Sequence, residues 1–250
     1  AAACAFTVTV VPPPSLTKTR FLAFGDSITA GTLSNCPGGI RPLSLLDDTL
    51  LLRAAVNVPT SYPTQLQTLL RNRYTMQLPT VVNEGVPGEP AGETMFTGEG
   101  SVTGSDRLPG VLSSENPEAL MLMEGINDVH QGATTSNLVT TLRSMVQEAR
   151  GRGIHVFLGT LLPQRIGACR NFAEASHILA VNDGIRGVAA SEGATLVDFY
   201  EAIIGNEATL LGPDGLHPNV VGYEQMAQKA FTAIRSTLEA APPGVKVRLR

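Results

Sequence analysis

The residues best suited to chemistry in this 250-residue chain are a serine near its start and a histidine near its end. Ser27 follows the apolar run Phe21-Leu22-Ala23-Phe24 and then Gly25-Asp26, the pattern of a buried strand that delivers polar side chains to the edge of a sheet. A serine there serves either as an N-cap or as a nucleophile. His217 lies in Asp214-Gly215-Leu216-His217-Pro218. An imidazole titrating near pH ~6.5 can take the proton of a serine hydroxyl. A carboxylate three residues earlier can reach back to Nδ1 across a tight turn, fixing the tautomer and stabilising the imidazolium. Asp214 could instead cap a helix. A Ca²⁺ loop is the poorer alternative, because two oxygen ligands and a histidine suit that ion badly.

A nucleophilic serine attacking an acyl group also needs donors aimed at the developing oxyanion. The backbone N–H groups of Ser27 and Gly85 and the side-chain amide of Asn127 are the candidates. Taken singly, Gly85 reads as a turn glycine and Asn127 as an Asx-turn or cap. The other histidines carry less: His155 starts a strand, His177 lies within a helix, and His130 follows a strand with no carboxylate suitably spaced before it.

The elements that must position these residues repeat as strand, loop and helix from Arg20 onward. A helix is expected from near Ser61, with Pro63 in its first turn and Leu66, Leu69 and Leu70 inward. Val81-Val82 forms the core of a second strand, followed by a Gly/Pro/Glu-rich loop to about Pro117. Ala119–Met123 is apolar throughout, as a strand covered on both faces should be, and ends in Glu124-Gly125-Ile126-Asn127-Asp128. A helix with Leu138, Val139, Leu142, Met145, Val146 and Ala149 on one stripe leads to a strand at Ile154–Leu158 and an irregular loop holding Cys169. A helix with Ile178, Val181, Ile185 and Val188 inward, a strand at Thr195–Phe199 and a last helix through Tyr223 to Leu238 complete the pattern. Asn219 or a near neighbour caps that helix, and Pro242-Pro243 ends it. This order predicts an α/β chain: a three-layer α/β/α, flavodoxin-like arrangement of five parallel strands with helices on both faces. The carboxyl ends of all the strands open onto one rim, which Ser27, Gly85 and Asn127 therefore share.

Composition removes several function classes. Net charge is -4 and charged residues are 16% of the chain, with no Lys/Arg cluster, so neither nucleic acid nor an anionic membrane is an expected partner. The longest apolar runs fall far short of the ~20 residues of a membrane span. The 25 glycines and 17 prolines point to long irregular loops. Residues 1–19 form a leader and linker: an alternating stretch up to Val11, then Pro12-Pro13-Pro14. They read either as the last strand of a missing upstream β-sandwich, weakly resembling immunoglobulin-like hyalin-type repeats, or as a leader that docks on the domain. The main domain then spans 20–240, with a tail at 241–250. The three cysteines, Cys4, Cys36 and Cys169, lack zinc-site spacing; Cys36 and Cys169 are either a disulfide or buried thiols.

Gly-Asp-Ser-Ile-Thr after the first strand, Asn-x-Gly-x-x-Gly after the second, Gly-x-Asn-Asp after the third and Asp-x-x-His before the last helix fall in the order of four blocks. In this the chain resembles the GDSL-type, or SGNH, serine hydrolases from about Arg20 to Leu238. Ile28 stands where the family name has leucine. The resemblance implies Ser27 as nucleophile, His217 as general base and Asp214 as its orienting carboxylate. It also implies Ser27, Gly85 and Asn127 as oxyanion donors, with no metal or cofactor required. The expected substrate is a small ester with a short acyl chain, with a carbohydrate-linked ester as one form. Expected localisation is secreted, periplasmic or at the cell surface. Competing readings with the same residues are a carbohydrate acetylesterase, a lysophospholipase or thioesterase, and an acyltransferase. Two readings of another class are a non-catalytic flavodoxin-like binding module and a metal-dependent phosphatase using Asp26, Asp128 and Asp214.

Overall fold

A computed structural model describes residues 7–10, 12–34, 55–94, 102–170, 173–240 and 245–248. Five strands build the central sheet: β1 (Arg20–Gly25), β2 (Thr80–Gly85), β3 (Ala119–Met123), β4 (His155–Gly159) and β5 (Thr195–Val197). They are all parallel and lie in the order β2-β1-β3-β4-β5. The expected three-layer α/β architecture is therefore present. Every side chain of β3 is buried, as are all of β1 beyond Arg20, because these strands are central and covered on both faces.

Helices follow each strand. Short α1 (Ser27–Ala30) leaves β1, and α2 (Tyr62–Arg73) packs against the last helix, α9 (Val220–Leu238), on one face. On the other, α5 (Thr135–Gly151) lies between α3 (Gly104–Glu115) and α6 (Ala175–Glu192). Of the expected stripe, Leu138, Leu142, Met145, Val146 and Ala149 are buried and Val139 is half-buried against the core. Three more short helices occupy the rim: α4 (Ile126–His130), α7 (Phe199–Ile203) and α8 (Glu207–Leu210).

Some expectations need correction. The loop expected up to Pro117 contains α3. Its composition, with Gly104, Pro109 and Gly110, disguises a helix held by a reciprocal capping box between Thr103 and Asp106 and by burial of Leu108 and Leu112 four residues apart. The fifth strand stops at Val197, because the Asp198 side chain accepts from Glu201 N and starts α7 at Phe199. Thr7–Val10 pairs antiparallel with Val245–Arg248, and Ser15–Leu16 with Glu239–Ala240, so leader and tail meet each other. The apolar patch Leu43–Leu52, Cys4 and Cys36 lie outside the described residues. Cys169 is disulfide-bonded.

Candidate active site

The topology reverses beside β1: the chain leaves it toward β2 on one side, while β3 lies on the other. Ligands of open α/β sheets bind where such a reversal opens a crevice at the strand ends. Ser27 leaves β1 at this point and Asn127 follows β3. Gly25 is needed here for close approach rather than for an unusual backbone angle: a Cβ would sit 2.3 Å from the Met123 carbonyl oxygen. Asp26, not Ser27, is the N-cap, its carboxylate accepting from Ile28 N at 2.8 Å. That leaves Ser27 as the first residue of α1 with its hydroxyl uncommitted to capping.

His217 reaches the same point from the turn between α8 and α9. Its Nε2 lies 2.9 Å from Ser27 Oγ, and its Nδ1 lies 2.5 Å from Asp214 Oδ2. The second carboxylate oxygen, Oδ1, accepts the backbone N–H groups of Leu216 and His217 at 3.0 Å each. All three side chains are buried, Ser27 being 7% exposed. Burial raises the Asp214 pKa, but the His217 hydrogen bond and charge, together with the two backbone donors, outweigh it and leave the group below the usual carboxylate range. Asp214 is thus held ionised against the imidazole. The turn itself is clamped from the loop after β4: Arg165 N and Arg170 N donate to the carbonyls of Gly215 and Asp214 at 2.8 and 2.9 Å. The Arg165 guanidinium caps those of Gly212 and Pro213.

The oxyanion candidates divide. Asn127 Nδ2 donates one hydrogen to Glu89 O at 2.8 Å, which fixes the amide and leaves its second hydrogen for another acceptor. The Gly85 N–H, expected to face an oxyanion, donates instead to Asn83 Oδ1 at 3.0 Å. What Gly85 supplies is space, since a Cβ there would lie 2.2 Å from Ala30 N of α1. The glycine next in sequence to Glu89, whose carbonyl Asn127 holds, is Gly88, with φ +83° and nothing within 4 Å of where a Cβ would be. His130 contacts Gln164 and is pushed down to about 4 by burial and, less strongly, by Arg170 and His217, so it stays neutral.

The family model described as GDSL-like Lipase/Acylhydrolase family matches residues 23–225, most of the chain. The chain belongs to that family. Esterase TesA of Pseudomonas aeruginosa is 29% identical over 144 residues, covering 57% of this chain and 68% of that protein. The crystal structure of a lipase/acylhydrolase from Enterococcus faecalis superposes with a TM-score of 0.67 at 23% identity, over 91% of this chain and 100% of the other. Est24, described as a carbohydrate acetylesterase from Sinorhizobium meliloti, gives 0.66 at 16% identity over 88% and 99%. This GDSL-family chain is therefore an ester hydrolase, which sets aside the non-catalytic binding module. Among the described residues no helix is long and apolar enough to cross a membrane.

In this GDSL hydrolase the three aspartates of the phosphatase alternative have separate duties. Asp26 caps α1, Asp214 holds His217, and Asp128 accepts Ala91 N and Gly92 N at 2.7 and 3.0 Å. Asp26 is fully buried, and burial, partly offset by the Ile28 amide, pushes its pKa up to about 7. The unfolded chain releases that proton near 3.8, so between the two values the folded state holds more protons. Its contribution to stability is complete below 3.8 and is lost as pH rises through 7. Asp26→Asn keeps an oxygen for Ile28 N. It is expected to match the wild-type Tm at about pH 4 and exceed it by several degrees at about pH 8. Melting curves with the same offset at both pH values would contradict this.

Sequence reasoning passed over Glu89, Arg107 and Glu124, which surround the Asn127 loop. The available signal was Glu124 itself, an ionisable residue closing the wholly apolar strand Ala119–Met123.

Proposed function

We propose that the chain is a serine esterase that cleaves short-chain carboxylic esters through an acyl-enzyme. The observation that carries this reading is the unbroken line from Asp214 Oδ2 through both ring nitrogens of His217 to Ser27 Oγ. Ser27 Oγ attacks the ester carbonyl as His217 Nε2 takes its proton, and Asp214 stabilises the imidazolium that forms. The oxyanion is held by the Ser27 N–H, the second Asn127 Nδ2 hydrogen and the Gly88 N–H, which takes the place expected of Gly85. The alcohol leaves with the proton from His217. Water then loses its proton to His217 as it attacks the acyl-enzyme, and that proton returns to Ser27 Oγ as the acid leaves.

A panel of p-nitrophenyl esters of rising acyl length, with acetylated saccharides alongside, tests the substrate class. Activity concentrated on long acyl chains would overturn the short-chain assignment, and preference for acetylated saccharides would make the enzyme a carbohydrate acetylesterase. Excess alcohol in the same assay detects acyl transfer as new ester. Asn127→Ala is expected to lower kcat by about 10²–10³. A rise in KM alone would assign Asn127 to substrate binding instead. An oxidising, extracytoplasmic location is supported by the disulfide at Cys169.

A further inference from the structure

Below the Asn127 loop the structure places more carboxyl groups than cations. Glu124 is 1% exposed, and neither of its oxygens has a conventional hydrogen-bond donor among the described residues. Glu89, also buried, faces it: Glu124 Oε1 and Glu89 Oε2 lie 3.3 and 3.5 Å from the point where a Gly104 Cβ would be. Gly104, at the start of α3, leaves the room in which the two carboxyl groups meet.

The partners of the two are unequal. Arg107 grips Glu89 with two bonds, Nε to Oε1 at 2.8 Å and Nη2 to Oε2 at 2.7 Å. The same guanidinium donates to Glu84 Oε2 and Glu84 O, and stacks 4.0 Å from the centre of the Phe24 ring. Glu89 is therefore the member with a cation of its own. Glu124 faces Glu89 from its loop, Asp26 from the β1–α1 junction and Asp128 from α4, with Tyr62 of α2 close by. No cation among the described residues forms an ion pair with it. An isolated buried carboxylate costs far more than a neutral carboxyl, and two carboxyl groups can hydrogen-bond only if one carries a proton. Burial first, then the charges of Asp26 and Glu89 and the bond to Glu89, all favour that proton on Glu124.

Resting on the esterase reading above, we propose that Glu124 is a protonated carboxyl that donates to the Glu89 carboxylate and so positions the oxyanion donors. The linkage is short. The side chain of Glu89 is fixed by Glu124 and Arg107, while its main-chain carbonyl accepts Asn127 Nδ2 and its neighbour is Gly88. Asp128 holds the next two residues but one, through Ala91 N and Gly92 N. Glu124 is a positioning residue, since it touches the reacting atoms only through Glu89 and Asn127.

The test compares Glu124→Gln, whose amide still donates to Glu89, with Glu124→Leu, which keeps the volume and removes the donor. The Gln variant is expected to keep kcat near wild type. The Leu variant should lose about 10–10² in kcat with KM nearly unchanged, because the donors are displaced rather than the substrate site removed. As pH rises far enough to ionise Glu124, wild-type kcat should fall while that of the Gln variant does not. Equal loss in both variants, no loss in either, or identical alkaline limbs would overturn the proposal. An infrared difference spectrum, wild type minus Glu124→Gln at neutral pH, reads the proton directly as the carbonyl stretch of a protonated carboxyl. Absence of that band sinks the proposal whatever the activity, and decides the matter should the Leu variant fail to fold. If Ser27→Ala instead stays active while the band is present, the esterase mechanism fails and the carboxyl pair stands.

Discussion

Ser27→Ala is expected to lower kcat on p-nitrophenyl acetate by about 10⁶, with an unchanged melting curve. Among the described residues, the Ser27 hydroxyl is the group at the end of the Asp214–His217 line that can form a covalent bond to the acyl carbon. Without it the imidazole has nothing to activate except water, which lacks the position that α1 gives Oγ. The oxyanion donors would still be present, so a residual rate above the uncatalysed one is expected. His217→Ala should cost about as much, and the double variant little more, because the pair acts as one unit. Near-wild-type turnover by folded Ser27→Ala would mean that another group attacks the ester.

Asp214→Asn is expected to lower kcat by about 10⁴, less than either of those changes. The reason is specific to this turn. Asp214 Oδ1 accepts the N–H groups of Leu216 and His217, so the amide oxygen of Asn would be held there and its NH₂ turned toward His217 Nδ1. Nδ1 would then have to accept, placing the ring proton on Nε2, where the proton of Ser27 must arrive. The fold should be retained, since the backbone bonds of the turn survive, and thermal denaturation checks this beside the kinetics. A loss equal to that of His217→Ala would show that Asp214 does more than orient the ring and stabilise its charge.

Both effects arise from residues that local pattern could find. Ser27 stands after a fully apolar run, and Asp214 and His217 are close enough in sequence for one tight turn to join them. Asn127 follows a strand whose burial on both faces was evident from Ala119–Met123. In each case the information is carried by a few consecutive residues and by the rule that parallel strands end on one rim.

Elsewhere the local pattern misleads. Helix α3 looks like loop because two glycines and a proline interrupt it, while the Thr103–Asp106 box that starts it involves only two side chains. The assignment of Gly85 to the oxyanion fails to anticipate that Asn83, two residues back, takes its N–H. Gly88 and Gly85 are equally plain as letters, and the Asn83 bond to the Gly85 N–H together with the Asn127–Glu89 bond distinguishes them.

By itself the amino-acid sequence determined the alternation of strands and helices and which side chains arrive at the common rim, because periodicity and turn chemistry act over a few residues. The tertiary structure decided how those side chains meet: the 2.9 Å approach of His217 to Ser27, the Arg165 clamp on the Asp214 turn, and the enclosure of Glu124 with Glu89. Hydrogen bonds and carboxyl protonation depend on distance and burial between groups far apart in the chain, and no local pattern of residue types records either quantity.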